Sequence, residues 1–144
     1  MRTLNRKAPF EYQLGEKLEA GVALLGSEVK SVKEGRVDLT TSFVRFKNGE
    51  AWLFNANIFP YPWGTPENYD PTRSRRLLLN KDEIISLETK AKQQKLTIVP
   101  TKIYTKGQRI KVEIALAKSK RKFEQREAKR KQDIKRDIER ELKE

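Results

Sequence analysis

The chain has 144 residues, with 32 Lys+Arg against 20 Asp+Glu for a net charge of +12, and it contains neither cysteine nor histidine. That composition excludes disulfides, thiol nucleophiles, imidazole bases and the usual zinc ligands, and leaves carboxylates as the remaining metal-binding chemistry. It points to a polyanionic partner, nucleic acid first and an anionic membrane surface second. No apolar run approaches 18 residues and the N-terminus has no signal-peptide core, so the expectation is a cytoplasmic protein, neither inserted in a membrane nor exported.

In chain order, residues 1–9 carry Arg2, Arg6 and Lys7 with no acid, and read as an arm leading into the first strand. Residues 10–25 read as one long bent strand or two short ones, with Gly15 or Gly21 at the bend. Gly26-Ser27 then interrupts, and Glu28–Glu34 reads as two helical turns closed by Gly35. Ser27 is placed to cap that helix. Val29 and Val32 share a spacing that faces the core, while Glu28, Lys30, Ser31 and Lys33 are expected to look outward. A short helix of this kind plugs the end of a barrel, and plugging does not forbid binding.

Val37 and Leu39 lead into residues 42–46, and Asn48-Gly49 is a strong hairpin signal to a returning strand at 51–58. Alternation there puts Trp52, Phe54, Ala56 and Ile58 on one face. The loop 59–71 holds four prolines and four aromatics, which rules out regular structure and directs the aromatics onto the barrel wall in preference to bases. Arg73, Arg75 and Arg76 follow directly. Asn80 with Glu83 forms a capping box for a helix over 81–93, with Ile84, Leu87 and Ala91 inward. Residues 96–104 read as a strand, with Pro100 at an edge or bulge, and Ile110, Val112, Ile114 and Leu116 alternate in a final strand.

From Lys118 the composition shifts to 12 Lys+Arg and 7 Asp+Glu with few apolar residues. Residues 118–144 therefore read as a basic tail, disordered alone and helical when a polyanion neutralises it, with Ile134, Ile138 and Leu142 as a narrow docking stripe. The fold class expected is mainly β with short helices: an OB-like antiparallel β-barrel over 1–117, followed by the tail. An open α+β sheet is the rival architecture.

No catalytic constellation emerges, since the carboxylates are scattered and no glycine-rich phosphate loop precedes a helix. No cofactor or metal is implied, and the chain is not expected to be an enzyme. Four cationic groups stand out instead: the arm, Lys30 with Lys33, the three loop arginines, and Lys118-Ser-Lys-Arg-Lys122. Together they favour a folded RNA read through backbone and shape.

Several stretches carry a family resemblance. Asn5-Arg-Lys-Ala8, Glu19-Ala-Gly21 with Gly26-Ser-Glu-Val-Lys-Ser31, Asp70 to Leu79, Ile98-Val-Pro100 with Ile103-Tyr104, and Ala115-Leu-Ala-Lys118 together resemble the SmpB family, the SsrA-binding proteins of bacterial trans-translation. The resemblance implies an OB-type barrel that binds the tRNA-like domain of tmRNA and takes alanyl-tmRNA into the A site of stalled ribosomes. It assigns Asn5, Lys7, Glu28, Lys30, Ser31, Lys118 and Lys120 to the tmRNA surface. Arg73, Arg75 and Arg76 match the basic loop, and Leu87 a helix position supporting the RNA site.

The resemblance also implies a second partner, the ribosome, met at 16S rRNA, the decoding centre and the empty mRNA channel. The tail residues assigned there are Arg121, Lys122, Phe123, Glu124, Gln125, Arg126, Lys129, Arg130, Lys131, Ile134 and Ile138. Two positions depart from the family pattern: Ser119 stands for glycine, and Glu124-Gln125-Arg126 for Asp-Lys-Arg. No membrane partner is implied, and the free protein is expected to be a monomer. A general ribosomal protein or RNA chaperone is the alternative reading. A membrane-surface protein is a third, opposed by the tail's narrow stripe, which lacks aromatics after Phe123.

Overall fold

The computed structural model describes residues 1–120, 129–136 and 138. The arm is not irregular. Arg2–Leu4 forms strand β1, and Ala8–Glu11 forms a one-turn helix, α1, with Pro9 in its first turn. The long strand therefore starts later than residue 10, as β2 over Tyr12–Val22. Helix α2 spans Gly26–Lys33, and β3 (Val37–Asp38), β4 (Phe43–Lys47), β5 (Glu50–Phe54) and β6 (Asn57–Ile58) follow. Next come β7 (Arg75–Leu78), helix α3 (Lys81–Gln93), β8 (Thr97–Lys106) and β9 (Arg109–Ser119). The final strand runs two residues beyond the expected barrel boundary at 117.

Hydrogen bonding runs β8-β4-β5-β7-β2-β9 and returns to β8, so the antiparallel sheet closes on itself. The expected barrel is observed, and the open sheet is not. β8 makes closure possible by serving three neighbours. It pairs β9 along its length, β4 at Ile98 and β1 at residues 102–104. Two bulges bend the walls. Four residues of β2 (Leu14 to Lys17) oppose three of β9 (Ala117 to Ala115), placing Gly15 at the bend, and Pro100 to Lys102 of β8 oppose two adjacent residues of β9. An extra residue on one strand increases its local twist and curvature, which a six-stranded closure requires.

The core fills the barrel with Leu53, Ile58, Ile98, Ile103, Val112 and Ile114, all nearly inaccessible. Val32 of α2 and Ile84 and Leu87 of α3 join it. A second, smaller cluster lies where α1 covers the wall: Ala8 against Val99 and Ala117. Burial of Ala115 and Ala117 along with Ile114 and Leu116 shows β9 covered on both faces near its end.

The hairpin β4–β5 turns as expected, with Asn48 and Gly49 both left-handed at φ 54° and 76°. Its return strand does not keep one phase. Ala51 and Leu53 point inward, then Asn55 adopts φ 60°, and the inward residues become Ala56 and Ile58. A single left-handed residue resets the alternation, so Trp52 and Phe54 lie on the outer face, half-buried, and not with Ala56 and Ile58 as the pattern suggested. Asparagine tolerates that conformation better than other side chains.

Gly49→Ala should lower stability by about 1 kcal/mol, because an alanine is strained at φ 76°. A thermal melt of the full chain should then shift by about 2–4 °C.

Candidate nucleic-acid interface

Helix α2 is set differently from the expectation. Leu25 is its N-cap, not Ser27, and the helix end is closed by Glu28, whose Oε1 accepts the Leu25 N–H at 2.8 Å. Gly35 ends it as expected, at φ 75° with its N–H on the Val32 carbonyl. Glu28 and Ser31 do not look outward. They are 1% and 0% exposed. Lys30 and Lys33 alone take the exposed face, with Val29 half-buried beside the core.

Glu28 is the centre of a network. Its Oε2 accepts from Arg75 Nε at 2.7 Å and Arg73 Nε at 3.2 Å, with Arg75 Nη2 at 2.6 Å, while Oε1 also accepts from Arg73 Nη2. The Tyr69 hydroxyl stands 3.0 Å from Oε2 and 2.9 Å from the Ile58 carbonyl, and its one proton serves one of them at a time. Arg75 is wholly enclosed and spends its other donors on the carbonyls of Ala56 (2.6 Å) and Pro71 (2.9 Å). Arg73 keeps a third of its side chain exposed.

Burial opposes the Glu28 charge, but hydrogen bonds from Arg73, the Leu25 N–H and Arg75, with the Arg75 charge, outweigh it and hold the carboxyl below its ordinary 4.5. Buried carboxylates persist when paired and hydrogen-bonded in this way. The network pins the loop 59–74 onto α2. Ser31 Oγ donates to the Phe59 carbonyl at 2.7 Å, and the Phe59 N–H to the Arg36 carbonyl at 3.0 Å.

The structure thus gathers Glu28, Lys30, Ser31, Arg73 and Arg75, but with three of the five inside. Arg76 belongs elsewhere. Strand alternation turns it out of the barrel, 3.5 Å from Glu50. Leu87 lies on the inner face of α3, buried in the core.

Asn5, Lys7, Lys118 and Lys120 meet around α1. Asn5 is 5% exposed; its Nδ2 donates to the Pro100 carbonyl at 2.8 Å and its N–H to the Thr101 carbonyl at 2.8 Å. Those carbonyls belong to the β8 bulge, so Asn5 completes the backbone hydrogen bonding that the bulge interrupts. Lys7 and Lys118 are exposed. Lys120 Nζ donates to the Pro9 carbonyl at 2.7 Å, and its N–H to Glu11.

Residues 129–136 are helical, with Lys129, Arg130, Lys131, Ile134 and Ile138 exposed. Beside them a cleft of about 610 Å³ brings Lys135 and Arg136 to Arg2, Arg6, Lys17 and Lys102 of the barrel, with Glu113 as the opposing acid among its lining. Such a surface suits a polyanion. Arg121, Lys122, Phe123, Glu124, Gln125 and Arg126 lie outside the described residues. Among the described residues no cluster of acids is arranged to hold a metal ion, and no helix is long and apolar enough to cross a membrane.

Sequence reasoning missed the side on which Tyr69 and Trp63 fall. Tyr69 turns inward onto Glu28, whereas Trp63 is 84% exposed at the loop tip and touches no barrel wall. The inward tyrosine has no signature in the pattern of the loop.

A family model described as SmpB protein matches residues 2–144. The chain belongs to the SmpB family. The SsrA-binding protein of Sulfurihydrogenibium sp. (strain YO3AOP1) is 52% identical over 139 residues, covering 96% of this chain and 91% of that protein. That of Aquifex aeolicus (strain VF5) is 48% identical over 140 residues, covering 96% and 89%. A solved structure described as "tmRNA-SmpB: a journey to the center of the bacterial ribosome" superposes with a TM-score of 0.71 at 44% identity, covering 90% of this chain and 94% of its own.

Glu28→Ala should destabilise the full chain by about 3–5 kcal/mol, since it leaves the enclosed Arg75 without its counter-charge; urea unfolding measures this. The depressed Glu28 pKa contributes stability that is complete above about pH 4.5 and is lost as pH falls through the lower folded value. Unfolding of the wild type between pH 5 and 3 should therefore slope more steeply than that of Glu28→Gln, which has no proton to take up at this position.

Proposed function

We propose that the chain is an RNA-binding adaptor of trans-translation: it binds the tRNA-like domain of tmRNA and delivers alanyl-tmRNA to the A site of stalled ribosomes. One observation carries the reading. In a chain of the SmpB family, a buried carboxylate ties Arg73 of the loop and Arg75 of β7 to a helix that exposes Lys30 and Lys33, giving a rigid cationic surface. A pre-positioned cation loses little side-chain freedom when it meets phosphate, so such a surface can recognise shape.

Within this reading the residues divide their work. Lys7, Lys30, Arg73, Lys118 and Lys120 face the RNA. Asn5, Glu28, Ser31, Arg75 and Leu87 act from inside by positioning the elements that carry those cations. Arg76, on another side of the barrel, contributes charge to a different part of the surface. The barrel is the tmRNA-binding unit, and the tail enters the empty mRNA channel of the ribosome beside 16S rRNA and the decoding centre. The exposed Ile134 and Ile138 lie four residues apart on one helix face, which suits docking there. The role is binding without catalysis, in the cytoplasm, with a monomeric free protein.

A titration of the full-length protein against a tmRNA tRNA-like domain, with an elongator tRNA as competitor, should show a marked preference for the tmRNA fragment and a steep weakening with salt. Equal affinity for both would indicate a general RNA-binding protein instead. Deleting residues 121–144, which leaves β9 and the Lys120 anchor intact, should preserve binding to the fragment but abolish tagging on stalled ribosomes. Retained tagging would remove the tail from the mechanism.

A further inference from the structure

Trp63 has no packing role, although a large aromatic left in water is an unusual use of apolar surface. The loop that carries it is held rigid. Pro60 and Pro62 restrict the backbone on the approach, the Gly64 N–H and Thr65 Oγ1 both donate to the Tyr61 carbonyl, and Tyr69 and Arg75 brace the return. Two residues before Trp63, the Tyr61 ring lies beneath Lys30 Nζ, 5.5 Å from its centroid. Glu67 and Asp70 are both exposed on this loop, and one Asp70 oxygen accepts from the Thr72 N–H and hydroxyl, each at 3.0 Å.

The exposed ring, its fixed backbone and the Lys30 ammonium held over Tyr61, two residues back on the same loop, match what an unpaired nucleotide requires: an aromatic face for the base and a cation for its phosphate. We propose that Trp63 is a stacking platform for one unpaired base of the tRNA-like domain, with Lys30 holding the adjacent phosphate. The assignment rests on the adaptor reading, and it names this RNA because the loop is fastened to α2, the helix that carries Lys30 and Ser31. A second protein is the less fitting occupant, since one exposed ring offers far less area than a stable protein interface buries.

The protein has two tryptophans, Trp52 and Trp63, so Trp52→Phe makes Trp63 the sole reporter. Titrating that full-length variant with a tRNA-like-domain transcript should quench its emission saturably, at the concentrations where anisotropy reports binding. Trp63→Ala in the otherwise native chain should weaken affinity about tenfold, and Trp63→Phe should restore most of it. Circular dichroism of both should match the wild type, because the ring contacts nothing in the core. A Trp63→Ala affinity within twofold of wild type, or unquenched Trp63 emission at saturation, overturns the assignment while leaving the adaptor reading intact. A wild-type protein that does not distinguish the fragment from an elongator tRNA overturns both.

Discussion

One carboxylate between two guanidinium groups joins helix α2 to the loop and strand that pack against it. Glu28 closes the start of α2, ties down Arg73 and Arg75, and meets the hydroxyl of Tyr69. The elements joined are far apart in sequence: a helix at 26–33, a proline-rich loop and the strand that follows it. Hydrophobic burial cannot specify such a join, because it lacks direction. A charged hydrogen-bonded centre can, and its desolvation is tolerable because every strong donor around it is satisfied. Buried and paired, the carboxylate also adds no exposed negative charge to the face that carries Lys30 and Lys33.

A second constraint shapes the barrel itself. Six strands close only with local curvature, and the chain obtains it from bulges at Gly15 and Thr101. The second bulge would leave carbonyls unpaired, and Asn5 supplies the donors. The N-terminal segment is thereby drawn onto the wall, where α1 covers Val99 and Ala117. Lys7 is placed as a by-product of this repair. Positions that read as separate motifs along the chain are mechanically linked through one irregularity in β8.

Much of this was legible in the sequence, and the failures share a cause. The hairpin at Asn48-Gly49, the helix at 81–93, the bulge option at Pro100 and the closing strand are set by neighbours within a few residues, and they stand as read. Glu28, Ser31 and Arg75 look like surface residues by type, and helical spacing placed the first two outside. What buries Glu28 and Ser31 is a loop more than 25 residues away in sequence, and what encloses Arg75 includes Glu28 from the opposite direction, which no local pattern encodes. The phase change at Asn55 escaped for the opposite reason. It is wholly local, but one left-handed residue inside an alternating run leaves no trace in hydropathy. Trp63 and Tyr69 show the same limit: composition identified a loop rich in aromatics without saying which ring the folded protein would keep for itself.

The tie between Lys120 and α1 has a geometric consequence. Because the backbone of Lys120 bonds to Glu11, and its ammonium to Pro9, the chain departs from the barrel at a defined point and heading. Everything from residue 121 onward is therefore tethered to a fixed origin. Were a partner to hold the barrel, any contact it made with residues 129–136 would be intramolecular, at an effective concentration set by the length of chain between them. The gain from such a second contact is lost where the barrel sits too far away for the chain to span.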